Sequence, residues 1–269
     1  MSVSVQRSPV VPALVDRASF DWIGLIWTLI RTDFKTRYHG TFGGFVWALL
    51  KPAAMFLVLY AVFSYVFKSE MAYRVNLILG LFLFDCFGEG TKSGLVSLQA
   101  KGYLLTKARF PSWIVVATSA SNAVITLSVF TLVFLAVLAA TGHPPKPVHL
   151  LLYFFYVAAL LVMVTGISLA GSVLFLRYRD LNQVWEVVVQ AGFFLAPIVY
   201  PLSVIPHEYQ FYLYLWPPTP IVQFTRMVLV EGTVPTLRAH LLLILMVGTT
   251  FGVGTAIFRR YAPRAAEYL

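Results

Sequence analysis

LLLYFFYVAALLVMVTGISLAGSVLFL, residues 150–176, contains no Asp, Glu, Lys or Arg. An α-helix rises about 1.5 Å per residue, so about 20 apolar residues cross a hydrocarbon core of about 30 Å. This run is long enough to do so, and five other stretches share its character, at 45–67, 75–98, 112–140, 184–201 and 241–258. Composition points the same way: 59% of the 269 residues are hydrophobic and only 12% are charged, too few to clothe a surface in water. The expected fold is an all-α integral membrane protein with six transmembrane helices.

The formal charge of +9 does not suggest nucleic acid, because the basic residues are scattered between apolar runs rather than gathered on one polar segment. They orient the chain instead. With both termini inside, the internal segments hold thirteen Lys and Arg residues and the external ones five, as the preference for basic cytoplasmic loops requires. Cys86 is the only cysteine, so an intrachain disulfide and a Cys-based metal cluster are excluded. The five His residues show no HExxH spacing, so no catalytic metal site is expected. The N-terminal region lacks an apolar core followed by a small-residue cleavage site, so the first span is expected to act as the signal.

Residues 1–19 are polar, contain Pro9 and Pro12, and read as a cytoplasmic tail. Over 20–38, Phe20, Ile23, Trp27, Ile30, Phe34 and Tyr38 recur every three or four residues opposite Asp21, Thr28, Thr32 and Lys35. That spacing predicts an amphipathic helix on the membrane surface, with Leu25 and Leu29 broadening its stripe so that part of it packs on protein. Residues 39–269 form the membrane domain. Between the fifth and sixth runs, 203–240 is rich in Tyr and Trp and broken by Pro206, Pro217, Pro218, Pro220 and Pro235. Two short helices, 207–215 and 220–230, are expected to dip into the outer leaflet, which is possible only where protein or water satisfies the freed backbone groups.

Asp85, Glu89 and Lys92 stand at i, i+4 and i+7 in the second run, on one helical face. Charges there are costly and face a partner or an aqueous path, so the three either neutralise one another, bind a neighbouring helix or line a polar conduit. Lys51 precedes Pro52 near the start of the first run. Ser119, Asn122 and Thr126 are expected to hydrogen-bond between helices, and Gly166 with Ala170 and Gly248 with Gly252 have the small-xxx-small spacing of close helix contacts. The segment Gly88-Glu89-Gly90-Thr91-Lys92-Ser93 is no phosphate loop, because position 85, where the first glycine is needed, is Asp. A short basic helix over 99–110, with Lys101, Tyr103, Leu104, Leu105, Lys107, Arg109 and Phe110, suits docking on a soluble partner.

The order and spacing of RTDFKTRY (31–38), then Gly44, Trp47 and Pro52, Glu89, KARFP (107–111), YRDL (178–181), FFLAPIVYPLSVIP (193–206), Pro217, Arg226 and Gly232 resemble the membrane subunits of ABC-2 type polysaccharide and polyol-phosphate exporters. The resemblance runs from about residue 22 to 269; Thr41, Gly43 and Trp216 depart from the family's usual Ser, Leu and Asn. It implies a permease of the bacterial inner membrane that moves a lipid-linked glycan, such as O-antigen or teichoic acid, and is not itself an enzyme. It implies a homodimer in contact with membrane lipid and with two copies of an ATP-binding subunit, which holds ATP and magnesium, while this chain holds no cofactor. Arg31, Asp33, Lys35, Arg37 and Tyr38 then belong to an interface helix. The 99–110 residues named above, with Arg177, Arg179 and Asp180, form the ATPase-coupling surface. Tyr60, Phe63, Asp85, Glu89, Lys92, Tyr200, Pro201, Trp216 and Arg226 are channel or gate candidates. An ABC-2 drug or lipid exporter shares the topology but not the RTDFKTRY and YRDL surroundings. A membrane transferase acting on a lipid-linked sugar needs a convergent acid or base, for which only Asp85 and Glu89 qualify.

Overall fold

The computed structural model of the chain describes residues 21–40, 43–66, 71–107, 110–140 and 145–265. Eleven α-helices run through them, and there is no strand among the described residues. They are α1 (Trp22–Tyr38), α2 (Val46–Phe63), α3 (Met71–Ala100), α4 (Gly102–Lys107), α5 (Ser112–Ser119), α6 (Ser121–Ala140), α7 (Pro147–Arg177), α8 (Leu181–Leu195), α9 (His207–Tyr214), α10 (Pro218–Arg226) and α11 (Leu237–Ala265).

Among the described residues, four helical stretches are long and apolar enough to cross a membrane: Val46–Phe63, Ser112–Ala136, Pro147–Arg177 and Leu237–Tyr261. The other two expected spans differ from these for physical reasons. The 30-residue α3 carries Arg74, Asp85, Glu89 and Lys92, which lower its hydropathy although its length suffices. The fifth is helical for only 15 residues, about 22 Å, because the chain leaves the helix at Ala196 before Pro197, which has no N–H to continue the ladder.

Helix ends follow local chemistry. The Asp21 carboxylate caps α1 by accepting from the Gly24 N–H at 2.9 Å, and Lys35 and Arg37 occupy its last turn, where cations complement the helix dipole. Pro147 opens α7 and Arg177 closes it. After α10 the helix widens into a π turn, Met227–Glu231, which Gly232 ends at φ +66°; that left-handed conformation costs a glycine nothing. Between α5 and α6 the helix is interrupted at Ala120. The Thr118 hydroxyl donates to Ile114 O at 2.8 Å and Ser119 to Val116 O at 2.6 Å, the back-bonding that bends helices. Thr126 donates to Asn122 O at 2.9 Å, so Ser119 and Thr126 bond within their own helices and not across helices as expected.

α7 is the central post, packed against α3 on one side and α11 on the other. The main core joins Leu77, Phe84, Phe87, Tyr156, Met163, Ile221 and Leu243, and a second cluster at one end joins Leu98, Val116, Val173 and Phe258. α7 and α11 meet at glycines. A Cβ on Gly254 would lie 2.0 Å from Gly166 O, and one on Gly166 would lie 2.7 Å from the Phe251 Cα, so backbone approaches backbone. Gly248 and Gly252 have open space instead, so the small-residue contact on α11 is made by Gly254, not by the pair read from spacing. The short helices take different roles: every residue of α10 is buried, whereas α9 exposes Tyr209, Phe211 and Tyr212.

Candidate functional site: an ionic wall between α2, α3 and α8

The face of α3 bearing Asp85, Glu89 and Lys92 is directed at neighbouring helices. Glu89 Oε1 accepts from Lys51 Nζ of α2 at 3.0 Å, and its Oε2 accepts from Arg37 Nη2 of α1 at 3.0 Å. Lys51 Nζ also lies 3.9 Å from Asp85 Oδ1. One turn along α3, Lys92 donates to Glu186 Oε1 of α8 at 2.9 Å. Glu89 and Lys92 therefore do not neutralise each other; each is paired with a different helix. Above this pair, Trp185 Nε1 donates to Thr91 Oγ1 at 2.9 Å, whose own hydroxyl donates to Phe87 O at 2.7 Å.

Lys51, Asp85, Glu89, Lys92 and Glu186 border a cavity of about 240 Å³. Beside the charges, its wall presents Phe84, Trp185 and Phe193 with the Gln190 amide, a mixture of aromatic faces and hydrogen-bonding groups. Its charged side chains are unevenly enclosed: Lys51 is 69% exposed and Glu186 47%, whereas Asp85 and Glu89 are 24% and 28%. The Lys92–Glu186 pair, open on both sides, is worth about 0–1 kcal/mol in water, so stability alone does not account for it. In contact with lipid these charges would be costly, so the face must meet water or protein.

A second polar constellation holds the exit of α8. Past Ala196, three successive carbonyls lose their helical partners. Pro197 O accepts from Arg226 Nη1 and, at 3.4 Å, from Gln223 Nε2; Ile198 O accepts from Arg226 Nη2 at 3.0 Å; Val199 O accepts from the Tyr73 hydroxyl at 2.9 Å. Arg226 Nε and Nη2 also donate to Asn76 O at 3.1 and 2.9 Å. A non-helical stretch is tolerated in an apolar surrounding when protein groups satisfy it, and here one buried guanidinium supplies most of that. Gly80 makes the seat, since a Cβ there would stand 2.6 Å from Arg226 Nη2.

The remaining expected site residues separate by position. Tyr60 and Phe63 pack on the main core, with the Tyr60 ring stacked on Phe56 at 5.8 Å, and neither borders the cavity. Tyr200 donates to Phe194 O at 2.9 Å, and Pro201 is exposed. Trp216 lies over Gly192, where a Cβ would fall 2.2 Å from Cζ2, and edge-on to Phe87 at 5.8 Å; it locks the α9–α10 segment onto α8 and α3. Arg226 is an internal strut, not a surface group.

On the docking side, Lys101 turns inward and pairs with Asp33 of α1. Phe110 packs on the second core cluster, Tyr103 is exposed and Leu104 half-buried. The segment read as one helix over 99–110 is split, because α3 runs through Ala100 before α4 begins. The side chains of Leu105 and Lys107, and Arg109 altogether, lie outside the described residues. Arg177, Arg179 and Asp180 are exposed. On α1, Arg31 and Lys35 are exposed and Tyr38 packs with Phe34 and Phe45, at 4.9 and 5.4 Å. Leu29 is buried, while Ile23 and Trp27 are exposed, so α1 has one face on protein and another turned away.

Glu186, Trp185 and Gln190 on the wall, and Asn76, Tyr73, Gly80 and Gln223 around Arg226, were not anticipated. Glu186 could have been, as an acid inside an apolar run.

Helices long and apolar enough to cross a membrane, carrying a charged and partly open wall, are the build of a membrane-embedded protein. The sequence pattern of the ABC-2 type transporter family matches residues 24–230, and the chain belongs to that family. It is similar to the O-antigen export system permease protein RfbA of Myxococcus xanthus, 27% identical over 197 residues, which cover 71% of this chain and 74% of the relative. It is also similar to RfbA of Klebsiella pneumoniae, 24% identical over 246 residues covering 91% and 95%. The polysialic acid transport protein KpsM of Escherichia coli is 25% identical over 236 residues, covering 86% and 91%. The chain is thus a multi-pass transport permease, and its family implies an ABC system with an ATP-binding partner.

Proposed function

We propose that this chain is the membrane subunit of an ATP-driven exporter that carries a lipid-linked polysaccharide outward across the bacterial inner membrane. The observation that carries the reading is the ionic wall. Five ionisable groups of α2, α3 and α8 line one partly open cavity in helices that are largely apolar, with Arg37 of α1 behind them, and such a face suits a path for a polar cargo. The similarity to permeases for O-antigen and polysialic acid supports a glycan as that cargo. The drug-exporter alternative has no comparable support, and the transferase reading is weakened because Glu89 is engaged by two cations.

In this reading α3 and α8, with the extended stretch after it, complete six spans, and both termini are cytoplasmic. Two copies face each other across the α2, α3 and α8 surface. Two ATP-binding subunits, loaded with ATP and magnesium, press on α4 and on Arg177, Arg179 and Asp180. A partner shifts such an equilibrium only by binding its two states unequally. α9 and α10 form the outer gate. Deletion of the gene tests the proposal: surface polysaccharide is expected to disappear while lipid-linked glycan accumulates on the inner face, and both are expected to revert on complementation. Unchanged surface polysaccharide would exclude the proposed role.

A further inference from the structure

The ionic wall has a back. Lys51, Asp85 and Glu89 border both the larger cavity and a cleft of about 40 Å³ behind it, where Arg37 approaches from α1. Among the described residues, the charged side chains on the cavity side are Lys51, Lys92, Asp85, Glu89 and Glu186, a formal sum of −1. Arg37, docked on Glu89 from behind, brings the sum to zero.

Arg37 belongs to a helix attached differently from the rest. α1 packs mainly on α5 and α6 and is held by two ion pairs, Arg37 with Glu89 of α3 and Asp33 with Lys101 in the turn just past α3. The two α1 residues are separated by about 6 Å along its axis, while Glu89 and Lys101 are about 18 Å apart along α3 and the turn that ends it. The long Arg37 and Lys101 side chains bridge the difference, and Lys51 holds Glu89 independently of α1.

We propose that α1, through Arg37, sets the net charge of this cavity, which accepts the anionic phosphate joining a glycan to its lipid when Arg37 is docked and repels it when Arg37 is withdrawn. The substrate half of this inference rests on the function proposed above; the electrostatic half does not.

Cys86 is buried, which leaves the chain open to a single introduced thiol, Gln190→Cys on the cavity wall. The purified full-length protein is labelled with anionic and cationic methanethiosulfonates in low-salt buffer, and the ratio of the two rates reads the local potential. A unit charge at about one Debye length, ~8 Å, acts oppositely on the two reagents, and on that scale Arg37→Gln is expected to lower the anion-to-cation ratio several-fold. Glu89→Gln should raise it, the double variant should restore it, and Arg37→Lys should leave it unchanged. A merely structural latch predicts the same direction for both single variants and no restoration, and that pattern would overturn the proposal. If Arg37→Gln does not fold, the rise in Glu89→Gln decides alone, and an unchanged ratio there overturns it. In cells, glycan export should fall with Arg37→Gln and recover in the double variant; unaltered export alongside shifted labelling overturns the substrate half. A wild-type chain that exports no glycan defeats the proposed function, while the labelling ratio still judges the electrostatics.

Discussion

Replacing Arg226 by Met retains most of the stem and removes every donor. Asn76 lies within α3, whose ladder still supplies its carbonyl, and Pro197 O keeps Gln223 at 3.4 Å. Ile198 O has no second donor among the described residues. An orphaned buried carbonyl costs about 1–3 kcal/mol, and hydrogen bonds from a charged donor contribute about 1.5–3 kcal/mol each. A net loss of about 3 kcal/mol is expected, offset in part because an isolated buried charge also goes. At roughly 2–4 °C per kcal/mol for a chain of this size, the apparent Tm of the purified protein in detergent should fall about 6–12 °C. Gly80→Ala acts through the same seat. Its Cβ would meet the tip of a movable side chain, at 2.6 Å, but that tip can move only by giving up its bonds to Asn76 and Ile198. The two substitutions should therefore be markedly less than additive. A fall below about 3 °C for Arg226→Met, or strict additivity with Gly80→Ala, would refute the view that this guanidinium holds the α8 exit.

Other perturbations probe different contacts. Gly254→Ala sets a Cβ against backbone at 2.0 Å and should cost several kcal/mol by parting α7 from α11. Gly248→Ala and Gly252→Ala, with open space, should be neutral or stabilise by up to about 1 kcal/mol; thermal melts compare the three. Gly192→Ala should dislodge the Trp216 indole, 2.2 Å from the new Cβ, and be visible as a shift in tryptophan emission of a variant whose other tryptophans are replaced by Phe. Lys101→Ala strands Asp33, largely enclosed, and should destabilise by about 2–3 kcal/mol, whereas exchanging the two residues should recover most of it. Charge reversal at Lys107 and Arg109 should lower coupling of ATP hydrolysis to export; undiminished coupling would remove these residues from the docking surface.

What could be read from the sequence was governed by period and length. Apolar runs placed α2, α5 with α6, α7 and α11, and proline spacing placed α9 and α10 to within a few residues. The i, i+4, i+7 pattern put Asp85, Glu89 and Lys92 on one face, but a period carries no information about what lies opposite. Their partners Arg37, Lys51 and Glu186 are 34 to 94 residues distant in the chain, and only tertiary packing joins them. The Arg226 strut was illegible for the same reason: its acceptors are main-chain carbonyls, which every residue has. Likewise, Gly254 and not Gly248 faces α7 because of the rotation of α11 about its axis, which small-xxx-small spacing leaves undetermined. The break at Ala120 lacks a proline or glycine, and only the run of hydroxyls beside it could have signalled a bend.

The central claim is that this chain, together with an ATP-binding subunit, moves a lipid-linked glycan across a bilayer. Its most direct test places both proteins in vesicles with the lipid-linked glycan of the source cell confined to the outer leaflet, on the ATP-binding side, and follows protection of the glycan from an external glycosidase. Protection should grow only with ATP and only when both chains are present. Equal protection without ATP, or none with it, would show that this chain is not a glycan exporter.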